Sequence, residues 1–294
     1  MSDSARLTFF AKTQTRCPIC DTAFSREELR TGRGRLIAGK LSDDLRRHYE
    51  ASKKFGEVNP LIYPISVCPS CFYSALPHDF SAIPEERKAA ADKNTDRRVS
   101  SFQSIAPAID FNGPRGLKEG LASHYFAMVC YDFFPREFAP TFKQGLCALR
   151  AAWLCDDLDR HAPGENWDFL AKMFYRKARF FYSQAVEKEQ NGTESIPNAS
   201  HLGPDLDKNY GYDGVLYITG WLEYEHGPRE DDVKRRQALA RAKRTVSRLF
   251  GMGRASKSKP SIILDMARDL YAQISDEMGE APSEPKSDAG DGRA

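Results

Sequence analysis

The chain of 294 residues carries 43 lysines and arginines against 41 acids, a formal net charge of +2, with 41% hydrophobic and 29% charged residues. That is enough apolar material for one large domain or two modest ones, and so even a charge balance gives no global pull toward nucleic acid or membrane. No stretch approaches the ~18–20 apolar residues of a spanning helix, and the run Leu7 to Ala11 is too short for a signal-peptide core, so the expectation is a cytoplasmic globular protein.

Residues 1–80 show short β-like runs, little helical periodicity and four of the seven cysteines. These four form two C-x-x-C pairs, Cys17 and Cys20 in CPIC, Cys68 and Cys71 in CPSC. Two residues between thiols let one tight turn aim both sulfurs at one ion, and the proline after the first cysteine narrows the choice of turn. Two matched half-sites in a chain without a secretory signal predict one structural zinc held by Cys17, Cys20, Cys68 and Cys71, with no coordination position left open for catalysis. A redox dithiol, an iron–sulfur cluster and four unligated thiols are the alternatives. His78 is an alternative fourth ligand. Arg33–Ala38 and Ile62–Val67 are expected to pair as strands that bring the knuckles together, with Tyr63, Ile65 and Val67 on one face.

Residues 81–115 are polar and interrupted by proline, with a helical turn over Glu85 to Asp92, and read as a connector. From 116 to 278 the period becomes helical. A helix is predicted over Leu117–Phe134. Leu146, Leu149, Trp153 and Leu158 mark a second. Ala171, Phe174, Ala178, Phe181 and Ala185 mark a third, with Lys172, Arg176, Arg179 and Lys188 largely on its other face. Further helices are expected over Val215–Glu225, Asp232–Phe250 and around Ile263–Ile274. Residues 279–294 read as a disordered tail.

Within Val215–Glu225, Leu216, Gly220 and Tyr224 step by four and Gly227 closes the helix, as in the first helix of a tetratricopeptide unit, where the small residue admits a neighbouring helix. Ala242, Val246 and Leu249 would face inward from the second. The fold expected is therefore mainly α: a zinc-ribbon-like module with a short β-hairpin, then a tetratricopeptide-like stack of helical hairpins. Residues 125–182 hold fifteen aromatics, read chiefly as core, with one or two left for a groove.

The stretches CPIC with TAF, LRTGRGRLI, and NPLIYPISVCPSCFYSA resemble the bacterial domain-of-unknown-function family 2225. The resemblance covers most of residues 15–275. It implies metal ligation by the same four cysteines and carries no activity. The family usually places glycine after each knuckle's second cysteine, where Asp21 and Phe72 stand here. If that position needs a positive φ, aspartate tolerates it and phenylalanine adopts it at a cost.

Two basic patches stand out, at residues 26–35 and 234–259. Each is read first as a solvated face, the arginines of 26–35 offsetting a tetrathiolate, and otherwise as a nucleic-acid surface, although only Phe24 and Phe250 interleave with the cations. Asp156, Asp157 and Asp159 with Arg160 and His161 read as a solvated helix end. No nucleotide-binding loop, nucleophile elbow or metalloprotease motif occurs, so no enzymatic activity is expected. The expected function is a zinc-stabilised adaptor binding a protein partner through its helical part, with nucleic-acid binding as the alternative.

Overall fold

The computed structural model describes residues 7–106, 108–250 and 261–280. Parts of two sequence expectations, the 251–259 half of the second basic patch and the tail from 281, lie outside them. The fold is mainly helical, with nine α-helices and eight short strands among the described residues. It divides into two units, Met1–Val215 and Leu216–Ala294.

The first unit opens with four two-stranded antiparallel pairs. β1 (Thr8–Phe10) pairs β4 (Glu27–Leu29), β2 (Thr15–Arg16) pairs β3 (Ala23–Phe24), β5 (Ile37–Leu41) pairs β6 (Arg47–Glu50), and β7 (Ser66–Val67) pairs β8 (Ser74–Ala75). The pairing expected between Arg33–Ala38 and Ile62–Val67 is not the one formed. Residues 37–41 fold back on 47–50, and Pro60–Ile62 is a 3-10 turn whose start Asn59 caps through its side chain. Proline at the first helical position favours that turn over a strand.

After the strands come α1 (Pro77–Phe80), α2 (Glu85–Lys93) and α3 (Thr95–Gln103). The stretch read as a connector thus carries two full helices. α2 buries only Ala91, and α3 buries only Arg98 and Phe102, so hydropathy gave no sign of a packed face.

α4 (Leu117–Cys130), α5 (Pro140–His161) and α6 (Trp167–Gln190) follow. α5 is the central helix, with α4 and α6 both packed against it, and 17 of its 22 residues are buried. A Cβ at Gly145 of α5 would lie 2.8 Å from the Tyr182 ring, so only glycine lets α6 approach this closely. On α4, Gly120 does the same for the Pro60–Ile62 turn, where a Cβ would stand 3.0 Å from the Ile62 backbone. The cysteine module therefore packs directly on the first large helix.

The second unit holds most of α7 (Gly211–His226), with α8 (Asp232–Ser247) and α9 (Ser261–Glu277). The spacing read around Gly220 has a steric cause: a Cβ there would meet Val246 Cγ2 at 2.4 Å. Ala242, Val246 and Leu249 are buried, as expected of an inward face. Arg235 closes the unit, donating through Nε and Nη2 to the two carboxylate oxygens of Glu277 at 2.6 and 2.7 Å, the forked geometry that makes such pairs strong.

Candidate metal centre

Each C-x-x-C pair sits at the turn of its own two-residue hairpin, between β2 and β3 and between β7 and β8. The two turns are built alike. Cys17 N donates to Thr22 O at 2.9 Å, and Cys68 N to Tyr73 O at 2.9 Å. Asp21 N donates back to Cys17 O at 3.1 Å, and Phe72 N to Cys68 O at 3.0 Å. This closure needs left-handed backbone after the second cysteine, and Asp21 (φ 62°) and Phe72 (φ 54°) both adopt it. Asp21 is exposed. The Phe72 ring is held 5.0 Å from that of Phe126 on α4 and 5.6 Å from that of Phe111, contacts that offset its unfavourable φ.

The hairpins bring all four sulfurs within 4.8 Å of one another. Cys17 Sγ lies 3.6 Å from Cys71 Sγ, and Cys20 Sγ lies 3.5 Å from Cys68 Sγ. A tetrahedron of ~2.3 Å metal–sulfur bonds has edges of about 3.8 Å, so the cluster could hold one metal ion. Three of the thiols are buried and Cys20 is half-buried. His78 is no part of the cluster; its ring reaches Asp79 Oδ1 at 3.3 Å. Cys130, Cys147 and Cys155 are buried singly, and burial pushes all three thiols up, Cys130 to about 11 and Cys147 to about 12. Among the clustered thiols, hydrogen bonds from Cys17 and then Cys71 pull Cys68 far down, while the bond to Cys68 holds Cys17 up at about 12. The Cys68 thiolate is thus favoured over those of Cys17 and Cys71, both held up by their hydrogen bonds within the cluster, and a bound cation would favour ionising these two.

The residue that sequence reasoning missed is Arg98. It is wholly buried, and no carboxylate pairs with it among the described residues. Nε and Nη2 donate to Cys71 O at 3.0 and 2.8 Å, Nη1 donates to Ala91 O, and Nη2 also reaches Thr95 Oγ1. A guanidinium buried without an acid is costly unless a countercharge lies nearby. Four thiolates around a divalent ion would carry a net −2 and would supply one. Of the arginines of 26–35, Arg26 pairs Glu28, Arg30 covers the Phe9 ring, and Arg35 covers the Phe55 ring. Nothing in a single sequence separates Arg98 from its exposed neighbour Arg97.

Around the cluster, polar side chains tie the module to the helices. His124 of α4 is buried, with Nε2 3.0 Å from Leu61 O, and burial followed by the Arg150 charge lowers it to about 3. A neutral imidazole thus donates to the carbonyl. Lys143 of α5 and Tyr131 both donate to Asp79 Oδ2, at 2.6 and 2.7 Å. Arg115 donates to Ile65 O, and its backbone N–H to Glu27.

The acidic end of α5 differs from the solvated cluster expected. Asp157 is buried and accepts from Arg46, from Arg160 and from Asn59 Nδ2. It borders a cavity of about 180 Å³ that Arg47, His48, Glu57 and Asp205 also line. With three donors on it, this carboxylate anchors the β5–β6 hairpin to α5.

The family described as "Uncharacterized protein conserved in bacteria (DUF2225)" matches residues 10–274. A protein of Borreliella burgdorferi, itself described only as uncharacterized, is 40% identical over 273 residues, which span 93% of this chain and 98% of the relative. No solved structure matches.

Proposed function

Since the chain belongs to this uncharacterised bacterial family, we propose a function from its own chemistry: a non-catalytic cytoplasmic adaptor, held in shape by one structural zinc, that binds another protein through its helical region. The observation that carries the zinc is the pairing of a closed four-thiol cluster with a buried guanidinium that lacks a carboxylate. Thiolates in tetrahedral reach favour a thiophilic ion, and zinc is the commonest occupant of such a closed site. A polynuclear iron–sulfur cluster inserts further atoms between its ligands and calls for wider spacing than these sulfurs have.

The adaptor role is supported by the way the module is packed into the helices through Phe72, Arg98 and His124. A metal here would hold the N-terminal hairpins against α3 and α4, leaving the rest of the helical body to present its surfaces. Elemental analysis of fresh protein tests the first half, with one zinc per chain expected and iron with visible absorbance refuting it. Recovery of a stoichiometric protein partner by tagged wild-type chain, retained after nuclease treatment and reproduced with the purified partner, tests the second. Retention of nucleic acid alone refutes it.

One observation favours the alternative. Arg30 over Phe9 and Lys54 over Phe55 supply around the 26–35 patch some of the aromatic–cation interleaving that its sequence lacks, a pattern used to bind single strands, although Arg35 itself is buried. Oligonucleotide affinity falling steeply with salt, and lost in Phe55→Ala, would establish that reading.

A further inference from the structure

α6 has two faces of different kinds. Ala171, Phe174, Ala178, Tyr182 and Ala185 are buried on the side toward α5. On the outer side Phe169, Met173 and Phe180 are 59%, 37% and 58% exposed. At about 100° per residue, these three and Arg176 fall within about 60° of one another, so they form one narrow stripe on a rigid helix. Large apolar side chains grouped on a surface mark an interaction site more often than chance exposure does.

The charges beside the stripe say what it would take. From 168 to 180 the helix carries Lys172, Arg176, Lys177 and Arg179 against one acid, Asp168. Asp168 is already paired with Lys172 at 3.1 Å. Arg176 and Lys177 are exposed, and neither has a carboxylate partner among the described residues. A second copy of the chain would set these cations against themselves. A lipid interior would have to take up Arg176, which lies inside the stripe, between Met173 and Phe180. A helical segment with apolar anchors and neighbouring carboxylates satisfies both features at once.

We propose that the outward face of α6 is the adaptor's docking surface and that its ligand is an acidic amphipathic segment of another protein, its apolar side chains on Phe169, Met173 and Phe180 and its carboxylates on Arg176 and Lys177. This rests on the adaptor reading and adds the site and the chemistry of the partner.

The test uses the full chain and two labelled synthetic helices of about four turns, one of leucine and glutamate at heptad spacing and one with every glutamate replaced by lysine, followed by fluorescence anisotropy. The acidic helix is expected to bind at least tenfold more tightly than the basic one, more weakly as salt rises. Phe169→Ser with Phe180→Ser should weaken it at least tenfold, and Arg176→Glu with Lys177→Glu should reverse the preference toward the lysine helix. All four positions are exposed, so far-UV circular dichroism should be unchanged. Equal binding of both helices, or no effect of either double substitution, overturns the proposal. So does a concentration-dependent dimer, or binding to phosphatidylglycerol vesicles, that the double serine variant abolishes. The adaptor reading fails separately: if the wild-type chain retains no partner, that reading falls whatever the peptides do. If the double serine variant retains the wild-type partner undiminished, only the surface is wrong.

Discussion

Replacing Arg98 with methionine keeps an apolar stem of similar reach and removes the charge and four hydrogen bonds. The carbonyls of Cys71 and Ala91 then lose buried donors, at about 1–3 kcal/mol each, so the folded state should lose about 2–6 kcal/mol. At about 2–4 °C per kcal/mol for a unit of this size, the midpoint should fall by about 4–24 °C. The charge has a second effect. A guanidinium bonded to a ligand's own carbonyl lies on the order of 6–8 Å from the sulfurs, where one unit charge is worth about 2 kcal/mol at an effective dielectric of 20. Zinc affinity should therefore fall at least tenfold in competition with a chromophoric chelator. Arg98→Lys separates the two effects: it keeps the charge and loses the fork, so it should retain most of the affinity while losing stability. An Arg98→Met chain that melts lower but holds zinc as tightly as wild type would refute the countercharge argument and leave Arg98 as packing alone.

Asp21→Gly and Phe72→Gly relieve the same backbone strain but should differ in sign. The first should be neutral or stabilising by under about 1 kcal/mol, while the second gives up an aromatic ring packed on Phe126 and should cost about 1–3 kcal/mol, both read by chemical denaturation; equal effects would show that the Phe72 ring contributes nothing. His124 gives a pH signature. Its folded value, about 3, lies below the unfolded ~6.5, so an unfolded chain takes up a proton that the folded chain refuses, and stability is lost as pH falls from about 6.5 toward 3, by up to about 1.4 kcal/mol per unit. His124→Asn should flatten that slope between pH 6.5 and 4.5 in zinc-saturated protein, and an unchanged slope would assign the acid sensitivity to other groups. Cys71→Ser should release the metal, which contributes on the order of 10 kcal/mol to local folding. Hydrogen exchange should then quicken first in residues 15–75 and in α3, while unchanged protection there would mean that the cluster is not a structural metal site.

What the sequence made legible follows the strength of each local signal. The knuckles could be read because C-P-x-C fixes both ligand type and turn. The left-handed residue after each could be read only as a condition, from the glycine that the resembling family usually places there, and Asp21 and Phe72 both adopt it. Gly220 was legible because a small residue between large ones at steps of four has a steric meaning. The β5–β6 hairpin was not. Its tip holds Asp44 and Arg46, which look like surface residues until Trp153 and Asp157 of α5 are placed opposite them. The same holds for α3, whose buried face consists of one arginine and one phenylalanine. Hydropathy counts a guanidinium as exposed wherever its partners lie far along the chain, and Arg98 reaches back 27 residues to Cys71.

The two knuckles are alike in their turns and unlike in their surroundings, and this bears on what a metal would do. The second is part of the helical body: Cys71 is tied to α3 through Arg98 and Phe72 is inserted against α4. The first lies at the edge, where Asp21 meets solvent and, among the described residues, pairs with Arg16 on its own hairpin. Apart from the shared sulfurs, the strands around it join the body through Phe24 against Phe80, Thr22 to Ser70, and Glu27 to the Arg115 backbone. An ion shared by Cys17, Cys20, Cys68 and Cys71 would therefore fasten a peripheral hairpin onto a core one, closing a segment of about 47 residues between Cys20 and Cys68. Closing a loop of that size restricts the unfolded chain far more than the folded one. Losing the ion would loosen the N-terminal strands first, while the α4–α6 body, held by its own apolar core, would keep its shape. On that account the metal's reach into the helices ends at α3 and α4, and the outward face of α6 should bind its ligand with or without it.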